Sequence, residues 1–169
     1  KVLNYIFFKV HRFKGNAEEY HDIQNSCISK VLENRSGNPV SLGIIYSLIA
    51  QRLNIPVYGV NLPQHFVLGY KNIEGLEILK SFNDESSLTH GETNEVMFYI
   101  NPFTEGLILN ADSIKSFLKQ LEVEPRPEYF NVCSNVEILK RVLRNMLFSY
   151  EKVKQHDKSE IIQKLLGSL

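Results

Sequence analysis

The sequence predicts an α+β fold in which a central buried helix packs against an antiparallel sheet and a helical hairpin follows the core. Three observations carry this. An Asn38-Pro39 start opens a long apolar helical stretch, alternating strand patterns follow it between residues 56 and 102, and two amphipathic stretches come after the proline-rich break at residues 124–127.

Taken in chain order, Val2, Leu3, Ile6, Phe7 and Val10 recur at helical spacing, so residues 2–10 read as an amphipathic helix that ends before Phe13-Lys14-Gly15-Asn16. Asp22 is placed to cap a second helix running to Asn34, with Ile23, Cys27, Ile28 and Val31 on its inward face. Cys27 then reads as a small core residue rather than a nucleophile. The third start is the clearest: Asn38 as N-cap, Pro39 at the first helical position, then VSLGIIYSLIAQRL. Val40, Leu42, Ile44, Ile45, Tyr46, Leu48, Ile49 and Leu53 surround most of this cylinder, so it is expected to be central and largely buried.

Asn54 ends that helix, and residues 56–62 alternate as a strand. Pro63-Gln64 makes a turn into a second strand over residues 65–70, antiparallel to the first. Residues 71–94 mix polar residues and glycines around a short apolar patch at 76–79 and read as a hairpin or loop. Residues 95–102 form a third strand ending at Pro102, and residues 107–109 can add a short fourth. Asn110 or Asp112 caps a helix through Leu121.

The proline-rich break divides the chain into a mixed core, residues 1–124, and a helical tail, residues 125–169. In the tail Val136, Leu139, Val142, Leu143, Met146 and Tyr150 repeat at helical spacing, and a polar turn at residues 155–158 leads to a second helix ending near Leu166. Such a pair can cover the core or begin a helix-pair repeat array.

Composition bounds the function. The 169 residues fit one core plus an appendage, with 43% hydrophobic and 22% charged residues as in an ordinary globular protein. Nineteen basic and nineteen acidic residues cancel, so the field that attracts phosphate backbones is missing and no nucleic-acid partner is expected. No apolar run approaches the roughly 20 residues that cross a bilayer, so no membrane partner is expected either. Two cysteines, Cys27 and Cys133, are too few for a disulfide framework or a four-ligand zinc site and read as reduced thiols in a cytoplasmic protein. An apolar pattern begins at once from Lys1, which suggests a chain cut from a longer one.

Several common chemistries fail on spacing. The sequence has no G-x-x-x-x-G-K-[ST] loop and no G-x-G-x-x-G, and none of the histidines stands in H-E-x-x-H spacing. No cofactor and no metal are therefore expected. Ser41-Leu42-Gly43 resembles half of a nucleophile elbow, but Pro39 stands where the first glycine must allow the sharp turn. What remains is an ordered trio: Ser41 in the first turn of the buried helix, His65 opening a strand, and Asn101 ending a later one. A helix N-terminus can activate a nucleophile and receive an oxyanion, a neighbouring histidine can act as base, and an amide can orient it, as in papain-like proteases. The plainer reading makes Ser41 a capping partner, His65 a strand-edge histidine and Asn101 a turn former. Cys133, with no histidine near it in sequence, reads as packing in the tail.

The stretch VLENRSGNPVSLGIIYSLIAQRLNIPVYGVNLPQHFVLGY, followed by FYINPFTEG, resembles the SirB1-like branch of the transglutaminase-like superfamily. FKGN upstream and residues 137–145 downstream extend the resemblance over essentially the whole chain, the latter looking like the join to a tetratricopeptide-type helical region. The resemblance implies the transglutaminase-like/papain-like core. It also implies a cysteine at the start of the central helix, a histidine on the next strand and an aspartate on the one after. His65 matches the histidine in its PQHF context. Asn101 stands where this branch usually shows aspartate. Counting back from Asn54-Ile55-Pro56 puts the cysteine position at Pro39, with Ser41 the nearest nucleophile; neither position holds a cysteine.

Serine is a weaker nucleophile than a thiolate and needs a placed base, and asparagine lacks the charge that stabilises imidazolium. The expected protein is therefore a domain that has lost its cysteine and binds a protein or peptide. The alternative is a slow amide or ester hydrolase or acyltransferase using Ser41, His65 and Asn101. The sequence leaves the oligomeric state open.

Overall fold

The computed structural model describes residues 1–71 and 96–169, so the hairpin or loop expected at 71–94, including its apolar patch, lies outside the described residues apart from Lys71. The first helix, α1, begins as α-helix over Val2–Asn4 and continues as π-helix over Tyr5–Val10, with His11 N–H donating to Ile6 O. Its buried side chains are the adjacent Phe7 and Phe8, while Val2, Ile6 and Val10 are exposed, which corrects the inward face read from a 3.6-residue period. Phe7 and Phe8 pack against the ring of Tyr46, whose hydroxyl donates to Asn4 Oδ1 at 2.6 Å.

The second helix is shorter than expected. Asp22 caps a 3₁₀ turn, Ile23–Ser26, by accepting from Gln24 N–H; the chain is then extended at Cys27 before α2, Ile28–Asn34. That break puts Cys27 on the surface instead of in the core. Val31 is the fully buried residue of α2. Two short strands that the sequence does not signal, β1 (Lys14–Gly15) and β2 (Ser36–Gly37), pair in parallel.

Helix α3, Pro39–Arg52, begins as expected, with Asn38 as N-cap and Pro39 in the first turn. Val40, Leu42, Ile45, Tyr46 and Ala50 are buried, and toward the C-terminus Leu48, Ile49 and Leu53 are exposed. The sheet has the order β3 (Val57–Leu62), β4 (His65–Lys71), β5 (Val96–Asn101), β6 (Leu107–Leu109), every pair antiparallel. The short fourth strand is real. Asn110 caps α4, Ala111–Gln120, by accepting from Ser113 N–H at 2.8 Å.

The sheet separates two apolar clusters. On one side Phe66, Leu68 and Ile100 join Leu42, Ile45 and Ala50 of α3; on the other Val60, Val67 and Tyr99 join Ile114 and Leu118 of α4. Strand alternation produces this division. The segment after α4 lies along the second cluster through Val123, Tyr129, Phe130 and Val132, and Tyr99 donates its hydroxyl proton to Phe130 O at 2.8 Å.

Helix α5 (Asn135–Lys152) and helix α6 (His156–Gly167) form the hairpin, the turn falling at Val153–Gln155, slightly before the expected residues. Ile138 and Val142 of α5 pack on the α3 cluster, so the tail covers the core. Cys133 packs on the same cluster, its N–H donates to Gly59 O at 2.8 Å, and burial pushes its thiol up to about 11. Among the described residues no helix is long and apolar enough to cross a membrane.

Candidate functional site

The N-terminus of α3 is a closed polar network. Asn38 Oδ1 accepts from Ser41 N–H at 3.0 Å, and Ser41 Oγ accepts from Asn38 N–H and donates to Asn38 O, both at 3.1 Å. This is a reciprocal capping box with serine in the place usually taken by glutamate. Asn38 Nδ2 donates on to Ser26 Oγ at 2.9 Å, and Asn25 ties the preceding loop by donating to Glu19 O and accepting from Asn16 Nδ2. Ser41 has no exposed surface, and Asn25, Ser26 and Asn38 are buried.

Ser41 also points away from the sheet. A Cβ built on Gly43 would lie 2.8 Å from Phe66 Cε1, so the Gly43 side of α3 is the side turned to β4. Two residues back along a helix is a rotation of about 200°. The Ser41 hydroxyl accordingly lies against Gly37, where an added Cβ would meet it at 2.6 Å. Pro39, four residues before Gly43, shares the side facing β4 and is itself buried.

His65 and Asn101 come together at the end of the sheet where β4 begins and β5 ends. Leu68 pairs with Ile100, and continuing that register sets Asn101 beside Val67 and diagonal to His65 on one face. The two side chains are thus neighbours, close enough for the Asn101 amide to favour the charged imidazole. Asn101 Oδ1 also accepts from Phe103 N–H at 3.1 Å and caps the 3₁₀ turn Pro102–Thr104. The side chain of Asn101 is thus a turn former that also neighbours His65 on the same face.

Phe66 faces α3, so His65, one residue earlier, takes the other face, its ring 5.7 Å from that of Phe117 on α4. Burial holds the imidazole below its ordinary 6.5, the neighbouring Asn101 amide opposes this, and the charge of Arg141 adds to the lowering. The ring is thus neutral at neutral pH.

Of the three residues grouped by sequence, the structure brings His65 and Asn101 together and leaves Ser41 out. Among the described residues the Ser41 hydroxyl bonds to Asn38 alone. Arg141 of α5, which sequence reasoning did not single out, reaches this end of the sheet from the tail: Nη1 donates to Asn61 Oδ1 at 3.2 Å and to Leu62 O at 3.0 Å. Among the described residues no group of three or more His, Cys, Asp or Glu side chains could hold a metal ion.

A helix N-terminus presented to a sheet, with a histidine and an amide at adjacent strand ends, defines a class of fold, and comparison with known proteins agrees. Residues 1–144 match the transglutaminase-like superfamily model, and the chain belongs to that family. Relatives place it in the SirB1-like branch. It is 30% identical over 158 residues to a UPF0162 protein of Xylella fastidiosa (strain 9a5c), covering 94% of this chain and 50% of that protein. It is 29% identical over 142 residues to protein SirB1 of Salmonella typhimurium, covering 84% and 38%. Mouse F-box only protein 21 is 26% identical over 148 residues, covering 86% and 21%. The chain thus spans half or less of the length of these relatives. No solved structure matches it significantly.

Proposed function

We propose that the chain is a protein- or peptide-binding module, a transglutaminase-like core without its nucleophile. The observation that carries this reading is the state of the α3 N-terminus. Pro39 occupies the side of the first turn that faces β4, and the Ser41 hydroxyl is buried, doubly bonded to Asn38 and aimed at Gly37. Acyl transfer needs a nucleophile within hydrogen-bond reach of its base, whereas Ser41 is locked in the cap and His65 lies on the face of the sheet turned away from α3.

The comparisons lend support of a different kind, since the same domain is matched within proteins of which it makes up 50%, 38% and 21%, as a module would be. We place the protein in the cytoplasm, consistent with two unbridged cysteines. We also read residues 125–169 as the first helix pair of a tetratricopeptide-type region, whose exposed Ile161 and Leu165 suit the stacking of a further pair.

The test is selection of a displayed random 12-residue peptide library on the protein, alongside a general serine-reactive activity probe. Enrichment of peptides that bind the wild-type chain, with no probe labelling, is the expected result. Labelling that disappears in both Ser41→Ala and His65→Ala would overturn the reading in favour of a hydrolase.

A further inference from the structure

Arg141 is only partly accounted for by the fold. It is half-buried on α5, and its Nη1 alone serves both protein acceptors, Asn61 Oδ1 and Leu62 O. A guanidinium carries five N–H donors in a planar fork, so the edge formed by Nε and Nη2 remains. Among the described residues no carboxylate stands within ion-pair distance of Arg141. No buried side-chain nitrogen or oxygen of the described residues lacks a partner, so these remaining donors reach solvent.

The surroundings suit a planar anion. Tyr20 and His65 both lie within electrostatic reach of the Arg141 charge. The Tyr20 ring packs edge-on to Phe103 at 5.5 Å, and Phe103 packs on the same cluster as Ile138 and Val142 of α5, so a hydroxyl donor and an aromatic wall lie on the Arg141 side of the sheet. A partly desolvated cation without a counter-charge is costly, whereas a carboxylate on its free edge would make two parallel charge-assisted bonds.

We propose that Arg141 is the anchor of the binding site and takes a carboxylate of the bound peptide on its Nε/Nη2 edge. The proposal rests on the binding-module reading and names the chemistry its ligand must carry.

The experiment is a titration of the full 169-residue chain with three small probes, followed through the Arg141 Nε–H signal by NMR. N-acetylglycine stands for a peptide C-terminus, N-acetylglutamic acid α-amide for an acidic side chain, and N-acetylglycinamide for the neutral backbone. One or both carboxylates should give a saturable shift while the neutral amide gives none, and the stronger of the two identifies the source. Arg141→Lys keeps the charge and the stem but loses the fork, and should weaken carboxylate binding about tenfold with the fold intact by circular dichroism. Equal response to the neutral amide, or unchanged carboxylate binding in Arg141→Lys, overturns the anchor. If displayed peptides without any carboxylate bind wild type and Arg141→Lys alike, the anchor fails and the module reading stands. If no displayed peptide binds at all, the module reading fails by itself.

Discussion

Gly43 of α3 and Phe66 of β4 touch so closely that a methyl group at residue 43 would sit 2.8 Å from the ring. Gly59 of β3 approaches the same ring, where an added Cβ would lie 2.6 Å from Cζ. One phenylalanine therefore sets the distance between helix and sheet and the rotation of α3 about its axis. That rotation decides which first-turn residues face the strands.

Because a ring packed between backbone segments cannot swing aside, Gly43→Ala should overpack the core and destabilise the protein by about 1–3 kcal/mol. Urea unfolding would show a lower midpoint at unchanged slope. A variant as stable as wild type would mean that α3 can turn or withdraw, and the direction assigned to Ser41 would lose its basis.

Ser41→Ala should cost about 0.5–2 kcal/mol, the range for losing a helix-capping side chain, because Asn38 N–H loses its close acceptor inside a buried network. A serine that holds the helix start is read out in stability. Denaturant melts of Ser41→Ala should therefore report the loss, while any residual esterase background stays at the wild-type level.

His65 gives a pH dependence whose sign follows from burial. Its folded-state pKa lies below 6.5, so the unfolded chain binds the proton more readily. The contribution is complete above pH 6.5 and is lost as pH falls through the folded value, so acidification destabilises the protein in that window. His65→Gln should flatten that part of the stability profile. Asn101→Asp should place a negative charge beside the ring and raise the His65 pKa in an NMR titration, moving the window upward. An unmoved histidine in Asn101→Asp would show that the two side chains are not partners in solution.

Much of this was readable from local signals, and the rest depends on packing. Asn38 followed by Pro39 specifies a helix start within two residues, and the strand alternation of residues 56–70 needs no tertiary information to predict a hairpin. The short strand β6 and the Asn110 cap are likewise local. The break at Cys27, which exposes the thiol, has no such signal, because an apolar pattern continues across it. The proximity of His65 and Asn101 across 36 positions is legible only through order and resemblance, while the exclusion of Ser41 depends on the contact between Gly43 and Phe66. A signal for its structural role was nonetheless present: serine three residues after an asparagine N-cap is the spacing of a capping box. Arg141 meets its acceptors across 79 and 80 residues, beyond any periodicity.

The same geometry separates two positions where a cysteine could be reintroduced. Pro39, though buried, lies in the first helical turn on the side facing β4, where the positive end of the helix dipole favours a thiolate. Ser41 lies on the far side of that turn, fully buried and enclosed by Asn38 and Gly37. Pro39→Cys should thus give a thiol whose pKa is depressed relative to one at residue 41, and Ser41→Cys should give an inert one. Site-resolved mass spectrometry after brief iodoacetamide treatment of the folded protein measures both, with the native Cys27 and Cys133 as internal references. Faster alkylation at residue 41 than at residue 39 would reverse the assignment of faces. It would place the missing nucleophile at the serine after all, and with it return the hydrolase reading to contention.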